Sequence, residues 1–159
     1  MKKVFLLSTV LMVIAGCGAS EKQRALLQEK EQKLKILEEE QELLVEKLKK
    51  QRQAIRELAQ EYGSKNLDKK QEIKLERIGM LLSELTKCEA LALKTEAQIN
   101  ILRKTIEDQN TDEQKLSKAE LKLANAEIEL ELNNIQTDMA LTKEACEKIS
   151  LQIKELESD

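Results

Sequence analysis

From Leu27 to Tyr62 the sequence carries a hydrophobic seam whose steps alternate 3 and 4 without a break. It runs Leu27, Lys30, Leu34, Leu37, Gln41, Leu44, Leu48, Gln51, Ile55, Leu58 and Tyr62. A mean step of 3.5 residues keeps one face of an α-helix against a partner and is the period of a left-handed coiled coil. A strand, with its period of 2, would scatter these side chains over both faces. Long packed helices are therefore the frame for the rest of the chain.

Two further stretches repeat the pattern. Leu75, Ile78, Leu82 and Leu85 begin a second seam, continued by Cys88, Ala92, Thr95, Ile99, Leu102 and Ile106. The step from Leu85 to Cys88 is 3 where 4 is due, a slip of the stammer kind that overwinds a coiled coil locally. Gly79 lies nearby, and a close approach of two helices is the expected reason for it. The third seam is Leu121, Asn125, Ile128, Leu132, Ile135, Met139, Thr142, Cys146, Ile149, Ile153 and Leu156. Leu116, Leu123 and Leu130, spaced by 7, add a second stripe that widens the apolar face.

Helix ends are marked by capping signals. Ser20-x-x-Gln23, Asp68-x-x-Gln71 and Thr111-x-x-Gln114 can each satisfy orphan backbone N–H groups reciprocally. Gly63 suits a C′ position with positive φ. These signals place helices over about 20–62, 68–108 and 112–157, with short breaks after Gly63 and after Asp108. Short connections suit antiparallel neighbours, and a wide stripe suits three helices better than two. The fold expected is all-α: a long antiparallel coiled coil arranged as an up-down-up three-helix bundle, roughly 65 Å long at 1.5 Å per residue. The competing arrangement is a helical hairpin whose remaining helix is extended or swapped into an oligomer.

Composition agrees. Charged residues make up 36% of the 159 residues, aromatics 1%, and there is no Pro, Trp or His. Phe5 precedes the seams, so Tyr62 is the only aromatic within them. Without Lys2 and Lys3 the formal charge of −3 becomes −5. That balance, mixed in sign along the chain, argues against a nucleic-acid partner, which needs a basic face.

The first residues are of another kind. Met1-Lys2-Lys3 is a short positive segment, and Val4 to Ala15 is an apolar run too short for a comfortable span of about 20 residues. It closes on Ile14-Ala15-Gly16-Cys17, which resembles the bacterial lipobox: an aliphatic residue, two small residues, then Cys. The resemblance covers the first 17 residues without departure. It implies a signal peptide over 1–16, cleavage between Gly16 and Cys17, and a diacylglycerol on the Cys17 thiol with a further acyl chain, typically palmitate, on its amino group. Two or three chains anchor a protein stably where one does not. Residues 17–19 then form the anchor and 20–159 the coiled-coil domain. Gly18 stands where an Asp would resemble an inner-membrane retention signal, so the expected site is the outer membrane, facing the periplasm, in a two-membrane envelope.

Leu58-Ala59-Gln60-Glu61-Tyr62-Gly63 resembles the hairpin turn of bacterial polysaccharide chain-length and export proteins. That turn often reads Tyr-Gly-x-x-His-Pro; here Asn66-Leu67 replaces His-Pro. The resemblance implies an export setting. A peptidoglycan tether like the small major outer-membrane lipoprotein is a further reading, but that family ends in a linking Lys and this chain ends Glu157-Ser158-Asp159.

Gln41, Gln51 and Asn125 on the seams are expected to select register. A hairpin centred near Asn110 would put Cys88 opposite about Asn133 and Cys146 opposite about Leu75. The two thiols would stand about 13 residues, near 20 Å, out of step, so buried thiols or an intermolecular pair are expected rather than an intrachain bridge. There is no phosphate loop, nucleophile elbow or zinc motif, so the expectation is a non-enzyme with no cofactor, no metal and no small-molecule substrate. Its partners are expected to be the membrane, through the lipid, and a protein or a second copy, through the coiled coil. The contact expected at the far end of the rod is Tyr62, Gly63, Ser64, Lys65, Asn66 and Leu67.

Overall fold

The structure, a computed structural model, describes residues 2–63, 68–112 and 117–158, and side chains from Glu21 onward except those of residues 23, 111, 112 and 118. Three α-helices follow one another: α1 (Lys2–Gly63), α2 (Lys69–Asp112) and α3 (Lys118–Ser158). All three pairs of helices are in contact. Helix α2 is antiparallel to α1, as Arg103 Nη2 to Glu38 (2.7 Å) and Asn110 to Glu31 (2.5 Å) show. Helix α3 is parallel to α1: Gln51 reaches the Cys146 carbonyl at 2.6 Å and Tyr62 the Leu156 carbonyl at 3.2 Å. The fold is the expected up-down-up three-helix bundle.

The expected seams of α1 and α3 are the buried rows. Leu27 through Leu58 on α1 and Leu121 through Leu156 on α3 are buried at every expected position, with Tyr62 half-buried at the end of α1. The seam of α2 differs. Its buried row is Lys74, Ile78, Leu81, Leu85, Cys88, Ala92, Thr95, Ile99, Leu102, Ile106 and Gln109. These steps alternate 4 and 3 throughout, so there is no stammer. Leu75 and Leu82 flank the seam, and a lysine holds the position that the leucine pattern hid. The three rows span the same five heptads: Leu27 to Tyr62, Lys74 to Gln109, and Leu121 to Leu156.

Other expectations are also corrected. Helix α1 is uninterrupted across Ser20 and Gln23, so no helix starts there. Gly63 is the last residue of α1, and no described glycine has positive φ. Leu123 and Leu130 are exposed, because the closed three-helix core admits only one row from each helix; Leu116 lies outside the described residues. Gly79 is exposed, and a methyl group added there meets nothing within 4 Å, so it marks no close helix approach.

The second capping box forms as expected. Asp68 N–H donates to Gln71 Oε1 (3.2 Å), and Gln71 N–H donates to Asp68 Oδ1 (2.9 Å). The third does not. Helix α2 runs on through Thr111 to Asp112, and Gln114 lies outside the described residues. The cap of α3 is instead Ser117-x-x-Glu120: Ser117 N–H donates to Glu120 Oε2 (2.8 Å), and Glu120 N–H to Ser117 Oγ (3.3 Å). Hydrogen bonding from the Ser117 hydroxyl, and then from its backbone N–H, holds the Glu120 carboxyl below its ordinary pKa, and a carboxylate at a helix N-terminus also meets the positive end of the dipole.

Because Gly79 sits mid-helix with open space around it, Gly79→Ala should stabilise the bundle by about 1 kcal/mol through lost unfolded-state freedom. A urea denaturation midpoint equal to or below that of the wild type would refute this placement.

Candidate functional site

Four groups of side chains could do more than fill the core. The first is the segment expected to carry the lipid. Gly16 and Cys17 lie within the unbroken helix α1, ten residues before the first core residue, Leu27. No flexible segment separates the cysteine from the bundle. Among the described residues, no helix is long and apolar enough to cross a membrane.

The second is the far end. Tyr62 closes the bundle there: its hydroxyl donates to the Leu156 carbonyl and accepts from Lys74 Nζ at 3.3 Å, and Lys74 Nζ stands 4.9 Å from the ring centroid. The buried Lys74 stem and the cation over the ring make this one compact contact of all three helices. Gly63 is exposed beside it. Ser64, Lys65, Asn66 and Leu67 lie outside the described residues.

The third group is polar and buried. Lys30, only 2% exposed, donates to both the backbone carbonyl and the Oδ1 (3.0 Å) of Asn125. Burial lowers its pKa, since desolvation disfavours the cation; Glu129 partly offsets this. Gln41 donates to the Ala92 carbonyl at 2.6 Å. Gln51 donates to the Cys146 carbonyl at 2.6 Å and to Ser150 Oγ at 2.7 Å. Thr95 and Thr142 turn their hydroxyls back to the carbonyls of Leu91 and Asp138. The three seam polars expected to select register each span two helices.

The fourth group is the thiol pair, and here the expected separation is overturned. Lys94–Asp138 (2.8 Å) and Arg77–Glu155 (3.1 Å) both have their midpoint at position 116, not near 110. A shift of about six residues at the turn moves opposing positions by twice that number. Cys88 and Cys146 thus fall in neighbouring layers of one core cluster. Both are free and buried, Cys88 at 7% exposure and Cys146 at 0%. Sequence reasoning missed the pair because it took the wrong one of two capping boxes. Burial, with the neighbouring Cys88 second, pushes the Cys146 thiol up to about 11, and burial also raises Cys88.

The remaining concavities are open grooves between helices. One is lined by Ile101, Leu102, Ile128 and Leu130, of which Ile101 and Leu130 are exposed. Among the described residues no group of His, Cys, Asp or Glu is placed to hold a metal ion. No family model matches the chain, and no curated protein or solved structure resembles it.

Two outcomes follow from these buried groups. Lys30→Leu combined with Asn125→Leu should raise the denaturation midpoint, by about 1–4 kcal/mol in stability, because it removes a buried cation together with the side-chain amide that accepts from it, leaving only a backbone carbonyl of the helix. Lys30→Leu alone should lower it, leaving Asn125 unpaired; the opposite order in urea melts would contradict the buried pair. For the thiols, the folded pKa of Cys146, about 11, lies above the ordinary 9.0. The folded state then binds the proton more tightly, so this contribution is complete below pH 9 and is lost as pH rises through 11. Cysteine-dependent stability should fall across that window in reduced protein, and a Cys146→Ala variant should lose that part of the slope.

Proposed function

We propose that the chain is a membrane-anchored lipoprotein of the bacterial cell envelope. In this reading it acts as a non-catalytic helical scaffold or adaptor that holds a rigid rod at a fixed stance on the membrane. The observation that carries this reading is the continuity of α1, which leads from the lipobox cysteine into the bundle core without a break. Cleavage before Cys17 would leave the lipidated residue at the start of that helix. Acyl chains on Cys17 would fix the base of the rod, and everything else it offers a partner is helix surface or helix end.

A second reading, an accessory subunit of an export or efflux assembly, is favoured by the exposed aliphatics on α2 and α3. Ile101 and Leu130 share one groove, and Leu123 and Leu151 lie on the same face of α3 as Leu130, at multiples of seven. A partner helix laid along that face would use them as anchors. Contact at Tyr62–Leu67 remains part of the proposal, but with the Tyr62 hydroxyl already engaged inside the bundle, such a partner would meet the turn beyond it. A peptidoglycan-associated tether is the third reading, held together by shape alone.

Metabolic labelling with palmitate tests the anchor. Wild type should incorporate label and enter the detergent phase, and Cys17→Ser should do neither; an unlabelled wild type would end the lipoprotein reading. Insertion of several Gly-Ser units after Ala19 should leave labelling and helicity unchanged while impairing function, if a rigid stance is what the rod supplies.

A further inference from the structure

The thiol pair has no part in the scaffold reading, and its placement asks for one. Cys88 on α2 and Cys146 on α3 are core residues of the same cluster, in neighbouring layers across the antiparallel α2–α3 contact. The alignment that brings them together is pinned on both sides. Lys94–Asp138 lies on one flank and Arg77–Glu155 on the other, and both give the same midpoint. Gln51 holds the backbone of Cys146 itself, through its amide on that carbonyl. Both residues point into a cluster of aliphatic side chains including Leu48, Leu85 and Ile149, so neither thiol is displayed to a second chain.

We propose that Cys88 and Cys146 are a disulfide site: a dithiol that closes into an intrachain cross-link clamping α2 to α3 when the chain meets a small disulfide oxidant. The reaction is thiol–disulfide exchange. Cys88, the more accessible of the two, loses its proton and attacks one sulfur of the oxidant. The oxidant's S–S bond breaks and its first thiolate leaves. Cys146 then loses its proton and attacks the Cys88 sulfur, forming the Cys88–Cys146 bond and expelling the second thiolate. Two cysteine thiols are oxidised, one external disulfide is reduced, and the two protons end on the two released thiols.

Burial keeps the reduced thiols protonated at neutral pH, so exchange proceeds through transient opening of the α2–α3 contact rather than on the closed rod. Once made, the link closes a long loop of chain and removes conformational freedom mainly from the unfolded state. The oxidised rod is therefore the more stable form, and a reductant returns it to the looser one.

The test uses the detergent-solubilised full chain, equilibrated with glutathione disulfide at micromolar protein, quenched by alkylation and digested with trypsin without reduction. Cys88 falls in the peptide Cys88–Lys94 and Cys146 in Glu144–Lys148, both separate from Cys17. The expected product is these two peptides joined to each other in a monomer, with a melting midpoint about 10 °C above that of the reduced protein. The comparison needs no variant, so a folding defect cannot obscure it. Peptides carrying glutathione, links between two chains, or free thiols at equilibrium would each overturn the proposal. So would a joined pair whose midpoint lies below that of the reduced protein.

Discussion

Buried polar side chains set the alignment of the three helices, and the rest of the structure depends on it. Leucine and isoleucine layers repeat every heptad, so sliding one helix by seven residues would leave aliphatic packing nearly intact. The polar positions do not repeat in that way. Lys30 meets both acceptors of Asn125 in the observed alignment. A slip of one heptad along α3 would set it beside Leu132 or Lys118, with its cation unpaired in the core. A buried charge stripped of its partner costs several kcal/mol, far more than the spread among aliphatic layers. Gln41 and Gln51 add one interhelical anchor each, to α2 and to α3. Exposed ion pairs such as Arg77–Glu155 follow that alignment on the surface, where each is worth little by itself.

How much of this could be read from the sequence differs from helix to helix, for definite reasons. In α1 and α3 the seams were legible to the residue, because each buried polar position interrupts a row of aliphatics that is otherwise complete. In α2 they were not. Lys74 holds a core position by burying its stem while its ammonium meets Tyr62, and the adjacent pair Leu81-Leu82 offers two equally apolar choices. Choosing Leu75 and Leu82 creates a stammer that the structure does not have. The equal length of the three rows decides the matter, and that length emerges only when the helices are laid side by side.

The turn between α2 and α3 was misread for a related reason. Thr111-x-x-Gln114 and Ser117-x-x-Glu120 are both capping boxes in sequence. The second prevails because α2 must run to Gln109 and beyond to cover the start of the α1 seam at Leu27, and because a glutamate at the helix start gains from the dipole as well as from the hydrogen bond. The error was six residues at a turn but about twice that across the hairpin, which is why two cysteines of neighbouring core layers were placed far apart. The resemblance to a lipobox was legible as a motif alone, since such a motif is a chemical address rather than a packing pattern, and packing does not test it.

The core is also divided along its length. One cluster holds Leu27, Leu34 and Leu37 with Ile99–Ile106 and Ile128–Met139; the other holds Leu44–Leu58 with Ile78–Ala92 and Cys146–Leu156. Between them lie Gln41 and Thr95, which are buried but spend their hydrogen bonds on backbone carbonyls. A polar layer of this kind contributes less apolar burial than the layers on either side, so the two halves are coupled through it more weakly than through leucine. The half nearer the start of α1 is held by the Lys30–Asn125 pair, and the distal half by the Tyr62–Lys74–Leu156 contact at its tip. Cys88 and Cys146 fall just distal to the dividing layer, where opening of one half would first reach the other. A separation of the two halves from each other therefore meets least apolar burial at this layer, and the thiols stand beside it, sealed while the rod is closed.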